Sequence, residues 1–140
     1  MNTHEKQRER GFTLVELLLV VTIIGILAGA VLVNLGGQSQ QAREARAGLD
    51  ISTYSAAIDR YEIDTGTFPD SSVGLSALIE DPGVEGWNGP YLNSKSFNDP
   101  WGREYQYRYP PSYGINYDLY SLGADGQEGT EDDITNWEEE

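Results

Sequence analysis

Five carboxylates fall within the nine residues from Asp125 to Asp133: Asp125, Glu128, Glu131, Asp132 and Asp133, with Gly126 and Gly129 set among them. So dense an array repels itself, and a compact loop that holds it calls for a counter-charge. Calcium is the obvious candidate chemistry, since it takes about six to eight oxygens from carboxylates and backbone carbonyls. The spacing is not that of an EF-hand, because Gln127 and Gly129 stand where Asp or Asn is usual and Thr130 where the glycine should be. On the residues alone, a solvated acidic loop and a calcium site both remain open. Acid–base catalysis fits poorly: Asp132 and Asp133 are adjacent on one loop and point to different sides, with no pocket of positioned polar groups around them. The chain has no cysteine, which excludes thiolate metal sites and cysteine nucleophiles, and its single histidine is His4, so a Ser/His/Asp triad is excluded if that end is trimmed.

A second constellation lies near the N-terminus, in Gly11-Phe12-Thr13-Leu14-Val15-Glu16. It opens an apolar run: residues 17–35 carry no charge, and the run from Phe12 to Leu35 carries only Glu16. At 1.5 Å per residue those 24 helical residues reach about 36 Å, enough for a hydrocarbon core of about 30 Å. Lys6, Arg8 and Arg10 precede the run and favour a cytoplasmic N-terminus, although Arg43 and Arg46 beyond it weaken the asymmetry. Three readings compete. A cleaved secretory signal has Ala28-Gly29-Ala30 as its cut site, but Val31-Leu32-Val33 continues the apolar run past it. A plain signal anchor leaves Glu16 unexplained. Cutting after Gly11 retains the helix and creates an α-amino group on Phe12, four residues from Glu16 and thus one helical turn away. That ammonium, on the same chain or a neighbour, answers a carboxylate that is otherwise costly at the hydrocarbon edge. The alternative for Glu16 is simple snorkelling to the interface.

This string resembles the type IV pilin-like precursors. The resemblance implies a prepilin peptidase that cuts after Gly11 and methylates Phe12, with Glu16 as the assembly glutamate and Gly25 as the helix glycine. The family's usual proline would fall on Val33, where this chain departs. Further on, Asp99-Pro100-Trp101-Gly102, then the stretch from Tyr120 to Gly126, then Gly129-Thr130-Glu131-Asp132-Asp133-Ile134 with Asn136-Trp137, resemble the major pseudopilins, the G subunits, of type II secretion systems. That likeness implies one structural calcium, with Asp125, Asp132 and Asp133 as side-chain ligands and the carbonyls of Leu122 and Gln127 completing the shell. It also implies a helical homo-oligomeric fibre. Its partners would be minor pseudopilins and an inner-membrane assembly platform with its ATPase, and it would drive folded proteins through an outer-membrane secretin. The mature chain would be single-pass in the inner membrane with a periplasmic head. A type IV pilin or competence pseudopilin is the alternative within the class.

The elements that must position these residues follow from pattern. Ala47, Ile51, Tyr54, Ile58 and Tyr61 form one apolar stripe of helical period, where a head should pack. The helix should stop near Asp64-Thr65-Gly66, ahead of Phe68-Pro69. A helix from Phe12 to about Asp64 is about 80 Å long and must project from a small domain. Residues 65–140 hold 12 of the 15 aromatics. Ser72–Glu80 reads as a short helix, Glu104–Tyr109 and Tyr117–Ser121 as strands, and Pro90–Leu92 as a third strand. The fold class expected is α+β and pilin-like: a long N-terminal helix packed on a small antiparallel sheet with an acidic loop. The chain then divides into a leader (1–11), an apolar helix half (12–35), an amphipathic half (36–64) and a head (65–140). With 9 Lys+Arg against 23 Asp+Glu, a net charge of -14, no nucleic-acid partner is expected. Glu138-Glu139-Glu140 reads as a solvated tail.

Overall fold

In the computed structural model, residues 11–137 are described, with residues 30–38 described in backbone only. The leader cations Lys6, Arg8 and Arg10, the side chain of Val33 and the glutamate tail lie outside the described residues. Helix α1 spans Leu14–Thr65, 52 residues, and its backbone stays helical through Gly36-Gly37. It starts on a reciprocal cap. The Thr13 hydroxyl accepts the Glu16 N–H at 3.2 Å, and Glu16 Oε2 accepts the Thr13 N–H at 3.3 Å. It ends where Gly66 turns to φ 77°, a conformation that costs glycine little.

The chain divides into two compact units, one through Ser39 and one from Gln40 onward. In the first, Phe12 and the apolar side chains of α1 lie exposed: Leu14, Leu17, Ile23, Ile26 and Leu27 are among the exposed large hydrophobics. Among the described residues, no helix is long and apolar enough to cross a membrane. The described apolar side chains end at Gly29, whereas the apolar run of the sequence goes on to Leu35.

In the second unit the expected stripe is the floor of the core, with Ala47, Ile51, Tyr54, Ala57, Ile58 and Tyr61 all buried. Tyrosines pack on it edge-on: Tyr54 lies 5.3 Å from Tyr105 and 5.4 Å from Phe97, and Tyr61 lies 5.8 Å from Tyr91. Their polar ends fasten to the same helix, since Tyr105 OH donates to Asp50 and Tyr91 OH to Asp64, each at 3.0 Å. Burial and the Asp50 contact push the Tyr105 hydroxyl far above its ordinary range, so it stays a donor at any working pH.

The sheet has three antiparallel strands in chain order: β1 (Gln106–Arg108), β2 (Asp118–Ser121) and β3 (Ile134–Thr135). β1 and β2 fall inside the two expected strands. The third strand is not Pro90–Leu92. There, Tyr91 and Leu92 both donate to the Leu78 carbonyl, and Pro90 has no N–H for a ladder. The third strand instead follows the acidic loop and pairs Ser121 with Ile134. The short helix is a 3-10 turn, Gly74–Leu78, shortened because Gly74 at φ 56° cannot extend an α-turn backwards.

Candidate functional site

The N-terminal constellation is positioned by the cap just described. Thr13 and Glu16 stand in the S/T-x-x-E relation of a capping box, a local signal present in the sequence that explains Glu16 without any membrane argument. Both contacts to the carboxylate use Oε2, and Oε1 accepts no hydrogen bond among the described residues. Glu16 is therefore held at the helix start through one carboxylate oxygen, by the Thr13 N–H and hydroxyl.

The acidic loop runs from Leu122 to Asp133, between β2 and β3, and its ends are drawn together by the strand pairing. Its carboxylates turn onto the loop's own donors. Asp125 Oδ1 accepts the Gln127 N–H at 2.8 Å, Asp132 Oδ2 accepts the Asp125 N–H at 2.8 Å, and Asp133 Oδ2 accepts the Gly129 N–H at 2.7 Å. The Thr130 hydroxyl lies 2.7 Å from Asp132 Oδ1, 3.1 Å from the Gln127 carbonyl and 3.3 Å from Asp125 Oδ1. The Thr130 hydroxyl and the Asp125 amide hold the Asp132 carboxyl below the usual carboxylate range. The Leu122 carbonyl accepts the Gly126 N–H at 3.0 Å. Asp133 Oδ1 is buried with no hydrogen-bond partner. Among the described residues no three Asp, Glu, His or Cys side chains form a group that could hold a metal as they stand. Asp125, Gln127 and Asp132 are linked through Thr130, while Leu122 and Asp133 sit on either side of them.

Glu128, less expected as a ligand, leaves the loop altogether: it accepts from Tyr120 OH at 2.9 Å and from Arg108 at 3.4 Å. Burial and the Glu128 carboxylate push the Tyr120 hydroxyl up to about 12.

Two supports were not legible in the sequence. Asp99, buried, accepts the N–H groups of Trp101 and Arg103 on Oδ1 and the Ser121 hydroxyl on Oδ2, at 2.6–3.0 Å. The turn it holds aims Arg103 at the loop, where the guanidinium donates to the carbonyls of Gly123 at 2.7 Å and Ala124 at 3.0 Å. Gly126 turns there at φ 72°, which favours glycine, and a Cβ would also meet the Arg103 guanidinium at 2.7–2.8 Å. Asp118, fully buried, gathers the N–H groups of Ser112, Tyr113 and Gly114 and lies 3.8 Å from Arg108. Burial, the largest effect, pushes the Asp118 carboxyl up; the three amides and Arg108 together outweigh it and leave it below its ordinary range. An Asp at the start of a tyrosine-rich strand was the only trace of this nest, and its donors sit four to six residues earlier in irregular chain.

Known proteins match both stretches of the chain. The family described as type II secretion system (T2SS), protein G, matches residues 34–137, and the prokaryotic N-terminal methylation motif matches residues 6–32. The type II secretion system core protein G of Pectobacterium carotovorum subsp. carotovorum is 42% identical over 135 residues, 93% of this chain and 85% of that protein. That of Pseudomonas aeruginosa is 40% identical, over 96% of this chain and 99% of that protein. That of Escherichia coli K12 is 41% identical, over 93% of this chain and 92% of that protein. The crystal structure of the major pseudopilin from the type 2 secretion system of enterohaemorrhagic Escherichia coli superposes with a TM-score of 0.61 at 35% identity, covering 74% of this chain and 94% of that one. With a long helix capped at Thr13, a three-stranded head and these matches along nearly its whole length, the chain belongs to the type II secretion system protein G family, that of the major pseudopilin.

Proposed function

We propose that this chain is the structural subunit of a periplasmic pseudopilus, cut after Gly11, methylated on Phe12, and assembled from the inner membrane by helix packing. The observation that carries this reading is the state of the N-terminal half of α1. Twelve large apolar side chains between Phe12 and Leu27 are each at least 48% exposed. At about 1.5 kcal/mol or more per buried side chain, covering them is worth roughly 20 kcal/mol, far more than a small head can forgo. Lipid covers them before assembly and neighbouring helices afterwards. A prepilin peptidase supplies the Phe12 amine, and an inner-membrane platform, minor pseudopilins and an outer-membrane secretin are the partners this role requires. The reading makes the chain a building block, with no acid–base pair assigned. Expression with a prepilin peptidase and the assembly platform should yield fibres in electron micrographs of sheared cells; a chain that is trimmed yet remains only as membrane-bound monomer contradicts the role.

Calcium in the acidic loop is part of the same proposal. One Thr130 hydrogen faces three acceptor oxygens, and Asp133 Oδ1 is buried without a donor, so the loop has more oxygens than N–H and O–H groups to satisfy them. A hard cation meets that surplus, which supports Asp125, Asp132 and Asp133 as ligands with the carbonyls of Leu122 and Gln127. The bound ion would supply charge and cross-linking, tying the loop to β2 and β3. Saturation at about a hundredfold over Kd adds about 2.7 kcal/mol to a domain without disulfides. Excess EDTA should therefore lower the melting temperature of the head by roughly 10 °C. An unchanged melt retires the site.

A further inference from the structure

We propose that Arg103 and Arg108 form a clasp that keeps the acidic loop closed on the head when no ion is bound. The inference goes beyond the calcium reading above. It assigns the loop's closure to two side chains of this chain, so that calcium adds to a closed loop instead of folding an open one.

Cations are scarce in the head. Residues 65–140 carry 15 Asp and Glu against three cations, Lys95, Arg103 and Arg108. Two of those three attend this one loop. They flank β1, and each holds a different part of the loop. Arg103 reaches the first limb, where Nη1 donates to the Gly123 carbonyl at 2.7 Å and Nη2 to the Ala124 carbonyl at 3.0 Å. Arg108 holds the tip: it donates to Glu128 at 3.4 Å, beside the Tyr120 hydroxyl that donates to the same carboxylate at 2.9 Å. The second limb needs no cation, since Ile134 is paired with Ser121 on β2. All three parts of the loop are thus tied to the sheet by bonds that involve no metal.

The two arginines hold by different chemistry. Among the described residues Arg103 forms no ion pair, although five carboxylates share the loop it touches. Its fork is spent on carbonyls, a charge-assisted contact at two points that the single ammonium of lysine does not reproduce. The carboxylates of Asp125, Asp132 and Asp133 stay turned onto the loop's own N–H groups. The guanidinium is placed in advance. Asp99 Oδ1 accepts the Arg103 N–H at 2.9 Å, and the guanidinium lies against the bare backbone of Gly126. The Arg108–Glu128 pair is half exposed on both sides, so salt weakens it and its share is the smaller one. Arg103 is the stronger half of the clasp.

A Glu-specific endoprotease reads the loop directly, because Glu128 and Glu131 are exposed within it while Glu80 and Glu85 are exposed elsewhere in the head. The full chain in detergent micelles is digested in excess EDTA and, in parallel, in excess calcium. In EDTA, Arg103→Met should be cut at Glu128 and Glu131 at least about tenfold faster than wild type, because cleavage tracks the opening that the lost charge-assisted bonds allow. Cutting at Glu80 and Glu85 should stay unchanged. Arg103→Lys, which keeps the charge without the fork, should fall between the two. Equal loop cleavage of Arg103→Met and wild type in EDTA overturns the clasp. A rise at all four glutamates also overturns it, since the whole head is then loosened. Calcium separates the two readings: slower loop cleavage of Arg103→Met on adding it supports both. If calcium slows loop cleavage in no variant, the calcium reading falls, and the clasp stands on the difference seen in EDTA.

Discussion

Glu16→Gln should leave trimming at Gly11 intact and abolish fibre formation, while Thr13→Ala should leave both largely intact. The pair separates the cap that Glu16 forms from the assembly role proposed for it. As the N3 residue of a capping box, it satisfies the Thr13 N–H, a task glutamine also performs. Loss of the cap by Thr13→Ala costs about 1 kcal/mol, small against an interface worth roughly 20 kcal/mol in apolar burial. In the proposed fibre Glu16 is the anion that meets the Phe12 ammonium, and glutamine cannot supply that charge. An unpaired cation left among packed helices costs several kcal/mol per subunit, repeated along the fibre. If Glu16→Gln assembles normally and Thr13→Ala does not, the cap is what matters and the amine–carboxylate register is wrong.

The second large effect is expected at Asp118. Alanine there leaves three neighbouring N–H groups without an acceptor and Arg108 without its buried partner. The donors sit on exposed or half-buried residues that water can reach, so each lost hydrogen bond costs about 1 kcal/mol; with the ion pair to Arg108 the loss is about 3–5 kcal/mol, a drop in melting temperature of more than about 10 °C. The same carboxylate sets an acid limit. Its folded pKa is depressed, so its stabilisation is present above the unfolded value, near 3.9, and is lost as pH falls through the lower folded value. Thermal melts of the wild-type head should fall steeply below about pH 4. Asp118→Asn, less stable at neutral pH, should show a flatter profile in that window. An Asp118→Ala head that melts like wild type would mean the 110–117 loop is not fixed by this nest.

How far the sequence led differs element by element. The long helix was legible because an apolar run, a period-3.6 stripe and a Gly66 stop all agree on one rod, and local and long-range signals do not compete. The pair β1 and β2 was legible from tyrosine-rich alternation. β3 was not: two residues, Ile134 and Thr135, carry no period, and their pairing is created by the loop that returns them to β2. Pro90–Leu92 looked like a strand because apolar residues must pack there, but packing against Leu78 does not require a ladder. For the acidic loop, composition marked the place, and the structure adds what composition lacks. Thr130 gathers the acceptors, Asp133 Oδ1 is left bare, and Glu128 is diverted to Tyr120 and Arg108. The Asp99 and Asp118 clamps escaped because a buried aspartate that binds backbone amides looks, in one dimension, like any polar loop residue. The T-x-x-E cap was in plain view, and it gives Glu16 a structural task beside the assembly role proposed for it.

The central claim is that the apolar helix is kept in the mature subunit and is what the fibre is built on. Intact mass of the subunit recovered from sheared fibres tests it most directly. The expected mass is that of residues 12–140 plus one methyl group, with the methyl on the Phe12 amine in the fragment spectrum. A subunit beginning at Val31, with the apolar run removed, or one still beginning at Met1, would contradict it.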